Sequence, residues 1–131
     1  MALYGRSELA SERREAAIKA VQLAPDDPNA LNSLAWEYHL SGTPRPGLPL
    51  AQKAVRLAPW RSAILHTWAA LLADAGSCTE AALVQQRAVD MLHERASPKV
   101  RAQYEGALAR YEAGCQPAGA VPSPGAGDVS Q

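Results

Sequence analysis

The chain has 131 residues, enough for one domain. Its 47% hydrophobic and 20% charged residues are the balance of a folded chain, not a disordered one. Thirteen basic and thirteen acidic residues cancel, so no cationic excess is there to neutralise phosphates and nucleic acid is not an expected ligand.

The predicted elements follow in chain order. Ser7 or Ser11 is placed to cap a first helix ending near Ala24. Asp27-Pro28 reads as an N-cap followed by proline at the first helical position. Leu31, Leu34, Ala35 and Tyr38 then recur at helical spacing, and Ser41-Gly42 ends the run. Pro44, Pro46, Gly47 and Pro49 crowd the next segment. A helix is expected to begin there at Pro46, with Pro49 in its first turn, and to run to about Ala58. Pro59 is expected to open a fourth helix, with Ile64, Leu65, Trp68, Leu71 and Leu72 inward and Gly76 closing it. Ser77-Cys78-Thr79-Glu80 has the form of a capping box, and its helix is expected to reach about Glu94. Ser97-Pro98 repeats the cap-then-proline signal. A last helix carries Val100, Tyr104, Leu108 and Tyr111 on one face and stops at Gly114. The reading is all-α, with six helices and no strand.

No apolar stretch approaches the ~20 residues of a membrane-spanning helix, and the N-terminal fifteen residues lack the apolar core of a signal peptide. A cytoplasmic location is expected. Two cysteines, Cys78 and Cys115, suggest no disulfide framework and fit a reducing compartment.

The chain also repeats itself. Ala17-Ile18-Lys19-Ala20-Val21-Gln22-Leu23-Ala24-Pro25 returns as Ala51-Gln52-Lys53-Ala54-Val55-Arg56-Leu57-Ala58-Pro59. A worn third copy runs from Gln85 to His93. The interval from Pro25 to Pro59 is the same as that from Ala54 to Ala88. A constant step of this size is the mark of a solenoid whose units stack and share a core.

This motif resembles the tetratricopeptide repeat, a helix–turn–helix unit. One unit supplies Leu31, Leu34, Ala35 and Tyr38, then Gly47, Ala51, Ala54 and Pro59. The next supplies Leu65, Trp68, Ala69 and Leu72, then Ala81, Gln85, Ala88 and His93. The bulky residue usual in the second helix is replaced by Ala51 and Gln85, and the closing proline by His93, which is expected to weaken packing. The resemblance spans residues 11–114, with residues 1–10 as a lead-in or the remnant of a preceding helix. Residues 115–131, rich in Pro, Gly and Ala, are expected to form a flexible tail. The uneven helix count leaves two explanations: a cut from a longer array, or helices paired in the offset order.

The resemblance implies a right-handed superhelix of helix pairs that acts as a protein–protein interaction scaffold. Its first-type helices would line a concave groove for a partner peptide or helix. On this sequence the groove positions are Asn29, Asn32, Trp36 and His39, then Ala63, His66, Ala70 and Asp74, then Val100 and Tyr104. A two-residue insertion near residues 95–98 would instead turn Tyr104 and Leu108 to the core. Trp36 reads either as a peptide anchor or as packing against Ile18 and Val21. Asn32 reads as a hydrogen-bonding partner for a peptide backbone, or as a solvated helix residue. A clamp for a carboxyl terminus is not expected, since Arg101 is the one cation placed to serve it. Trp60 and Arg61 form either a ledge at the groove edge or a cover for the neighbouring hairpin.

No catalytic pattern appears: no phosphate-binding glycine loop, no Gly-x-Ser-x-Gly and no His-Glu-x-x-His. His39, His66 and His93 are evenly and widely spaced on different helices, which is not metal spacing. Cys78, with no base nearby, reads as an unreactive thiol. The chain is therefore expected to be non-enzymatic, with no cofactor or metal. The alternatives to partner binding are self-association through the open ends of the stack and a role as the non-catalytic helper domain of a larger protein.

Overall fold

The computed structural model describes residues 6–115. These form six helices: α1 (Arg6–Leu23), α2 (Pro28–Leu40), α3 (Pro44–Leu57), α4 (Ser62–Asp74), α5 (Cys78–Asp90) and α6 (Pro98–Glu112). There is no strand among the described residues, and none of their helices is long and apolar enough to cross a membrane. Of the expected tail over residues 115–131, Cys115 is described and is fixed by a bond to Cys78, and residues 116–131 lie outside the described residues.

Two helix starts follow the sequence signals. Asp27 Oδ1 accepts from the Asn29 amide at 2.9 Å, with Pro28 as the first helical residue. Ser97 Oγ accepts from the Val100 amide at 3.1 Å, ahead of Pro98. Gly42, Gly76 and Gly114 follow their helices with φ of 73°, 89° and 95°, the left-handed conformation that closes a helix.

Other boundaries differ from expectation. Ser7 and Ser11, expected as caps, lie within α1. α3 begins at Pro44, where a missing amide costs nothing, and this moves Pro49 into the second turn. Pro49 therefore removes one intrahelical bond, on an exposed face of the helix. α4 begins at Ser62, leaving Pro59 and Trp60 in the preceding turn. Ser77 occupies the N-cap of α5 without a side-chain cap bond, so the capping box does not form. α5 stops at Asp90, short of Glu94.

The helices pack in chain order. The closest pairs are α2 with α3 and α4 with α5, and α2 also touches α4 directly. Small residues set those approaches. Ala51, Ala54, Ala81 and Ala88 are fully buried. Gly47 is buried where a Cβ would meet Leu71 Cδ2 at 3.0 Å, Tyr38 Cβ at 3.1 Å and the Ala35 carbonyl at 3.2 Å. Without a side chain, α3 can rest directly on α2 and α4. The core falls into three clusters, Ala35 with Leu71, Leu31 with Ile64, and Leu65, Leu72, Val84, Tyr104 and Tyr111 toward α6, and the partly buried Leu48, Leu50, Val55 and Trp68 bridge them.

The expected free thiols are paired. α6 returns antiparallel beside α5, which brings the third residue after α6 next to the first residue of α5. Gly114 and Cys115, both with left-handed backbone, turn the chain toward Cys78. The two cysteines form a disulfide with Cα atoms 5.6 Å apart.

Candidate functional site

Three alternate helices present one groove of about 380 Å³. α2 contributes Asn32 and Trp36, one turn apart on one face. α4 contributes Ala63, His66 and Thr67, and α6 contributes Val100, Gln103 and Tyr104.

The groove is crossed by a ladder of rings. The Trp36 and His66 rings lie 5.8 Å apart at 30°, and the His66 and Tyr104 rings 4.1 Å apart at 9°. Stacking of this kind favours a fixed wall over independent rotamers. Trp36 also meets the His39 ring at 4.6 Å. Its ring contacts thus run along and across the groove, while Val21 packs against Leu31, Ala58 and Ile64.

Beneath the ladder sits Gln85, fully buried. Its Nε2 donates to the Tyr104 carbonyl at 3.0 Å. Nε2 and Oε1 lie 3.0 and 3.2 Å from His66 Nδ1. The amide thus meets either tautomer: its nitrogen donates to a bare Nδ1, and its oxygen accepts from Nδ1–H. Gln85 stands one repeat step after the fully buried Ala51, so a polar group fills a position that is apolar in the preceding unit. The loss of packing expected there is offset by these bonds. Burial, the largest influence, pushes the His66 pKa down; the Gln85 hydrogen bond opposes it, and the His39 and Arg110 charges add to the lowering. The ladder therefore holds a neutral imidazole near neutral pH.

Asn32 Oδ1 is buried and has no hydrogen-bond partner among the described residues. Thr67, in contrast, donates its hydroxyl to the Ala63 carbonyl at 3.0 Å. Burial raises the Tyr104 phenol pKa, keeping that side chain neutral as well.

The structure brings Asn32, Trp36, Ala63, His66, Val100 and Tyr104 to the groove and places the other candidates elsewhere. Ala70 is buried in the helix interface. Asn29 Oδ1 accepts from Arg61, across the α1–α2 and α3–α4 turns. His39 Nδ1 donates to Asp74 Oδ2 at 2.6 Å, linking the C-terminal ends of α2 and α4. Arg101 donates to the His93 carbonyl at 3.2 Å and does not line the groove. Tyr104 does double duty, 8% exposed and packed in the core with one ring face on His66. Trp60 stays largely exposed, at 67%. Among the described residues, no three His, Cys, Asp or Glu side chains gather as metal ligands would.

No family model, curated protein or solved structure matches the chain.

Proposed function

We propose that this chain is a non-enzymatic interaction scaffold built as a tetratricopeptide-like solenoid. The groove of α2, α4 and α6 would receive an extended or helical segment of a partner protein. The constant repeat step, the close α2–α3 and α4–α5 pairs, and the direct α2–α4 contact support the architecture.

The observation that carries the functional reading is the groove itself, where Asn32 and Trp36 of α2, His66 of α4 and Tyr104 of α6 come together. A buried acceptor without a donor is costly, and Asn32 Oδ1 would gain one if its side chain turned outward to meet a partner amide. Trp36 and Tyr104 would add apolar contact at low entropic cost. The Cys78–Cys115 bond weighs against the expected cytoplasmic setting, since lasting disulfides are rare there.

The test is a displayed library of peptides screened against the wild-type chain and against Asn32→Ala and Trp36→Ala. Peptides that lose about tenfold or more in affinity with either variant, at unchanged helicity, support the groove. Peptides that bind all three equally sink it.

A second reading rests on Leu23, Leu57 and Met91, which occupy the same position in successive copies of the repeat. All three are exposed, Leu23 at 87%. An edge of this kind suits self-association. Sedimentation showing a concentration-independent monomer would remove it.

A further inference from the structure

α6 is the last described helix and packs mainly on α5. Its holds are Tyr104, Ala107 and Tyr111 in the core, the Gln85 bond to the Tyr104 carbonyl, and the His66 stack. A terminal helix with one main neighbour is the least costly element to detach. One covalent hold is added to these. Cys78, the first residue of α5, is bonded to Cys115, whose amide still donates to the Arg110 carbonyl of α6 at 2.8 Å. The tether spans 37 residues, enclosing α5 and α6. The same α6 supplies Val100, Gln103 and Tyr104 to the groove. The bond that fixes α6 therefore fixes one groove wall.

Both cysteines are half-buried and neither lies in the core. Cys78 sits where the free amides and positive dipole of a helix N-terminus favour a thiolate.

We propose that Cys78 and Cys115 form a thiol–disulfide switch on the groove: oxidation docks α6 and completes the groove, and reduction releases α6 and opens it. The oxidant is a small-molecule disulfide such as oxidised glutathione. The Cys78 thiolate attacks one of its sulfurs and expels a glutathione thiolate, leaving a mixed disulfide. The Cys115 thiolate then attacks the Cys78 sulfur and expels the second glutathione thiolate. Two electrons pass to the glutathione disulfide, and the two cysteine protons end on the departing thiolates. Reduced glutathione runs the sequence backwards.

The experiment equilibrates the full chain in glutathione buffers of graded ratio. Thiols are counted by alkylation and intact mass, and hydrogen exchange is followed helix by helix. The expected result is one intramolecular disulfide and α6 amides exchanging about tenfold slower in the oxidised form, with α2 and α3 unchanged. The Cys78→Ser, Cys115→Ser double variant should exchange like the reduced chain in every buffer. Equal α6 exchange in both forms, thiols that stay reduced at every ratio, or bonds formed only between chains would each overturn the switch. None of these readouts needs a partner, so the proposal fails or stands separately from the groove's binding role.

Discussion

The Tyr104 ring lies 4.1 Å from the His66 ring and nearly parallel to it, although the two side chains come from α6 and α4. The stack is held from below by Gln85, which bonds both the Tyr104 backbone and the His66 ring. One buried amide thus sets the spacing of two helices that line the same groove.

Gln85→Met should therefore destabilise the chain although it nearly keeps the volume. It leaves the Tyr104 carbonyl without its side-chain donor and His66 Nδ1 without a partner. The expected cost is about 1–3 kcal/mol, read from urea unfolding midpoints. Stability equal to wild type would mean that water replaces both bonds.

Stability should also fall in mild acid. Burial lowers the folded-state pKa of His66 below the ordinary 6.5. The unfolded chain then binds the proton more readily than the folded one. The contribution is fully present above the unfolded value and is lost as pH drops through 6.5 toward the folded pKa. Thermal melts across this range should show the loss, and His66→Phe should flatten it. A slope that survives His66→Phe would assign the effect to other groups.

The repeat made the helix order legible, because an echoed Ala-Val-x-Leu-Ala-Pro string places the same helix end twice. Helix-capping residues located α2 and α6 for the same local reason, a side chain bonding an amide two or three residues away. Features that depend on distant neighbours were less legible. Pro44, Pro46 and Pro49 each tolerate a helix start, and packing of Gly47 on Leu71 is compatible with the earliest one. Gln85 reads locally as a defect in the repeat, although a polar residue at the repeat position of Ala51 is a signal to look for bonding partners. Thr67 and Gln103 join the groove only once the α4 and α6 registers are fixed. The pairing of Cys115 needs the antiparallel return of α6, which no local pattern encodes.

Ala54→Leu tests the close approach of helices. Ala54 is fully buried in a cluster with Leu31, Ala58 and Ile64. Three extra carbons there have no space without moving a helix. The expected loss is about 1–3 kcal/mol in denaturant unfolding. An unchanged midpoint would mean that α3 can shift without cost.

Breaking the Cys78–Cys115 bond should cost more than any of these. The link joins residues 37 apart, so cutting it restores considerable freedom to the unfolded chain. Loop-closure entropy for that separation is worth about 4 kcal/mol. Compact structure in the reduced unfolded chain would lower the figure. Urea unfolding of wild type with and without a dithiol reductant measures it directly. The Cys78→Ser, Cys115→Ser variant should match the reduced chain and ignore the reductant. A wild-type midpoint unmoved by reductant, with free thiols confirmed, would show that α6 is held by Tyr104, Ala107 and Tyr111 without help from the sulfurs.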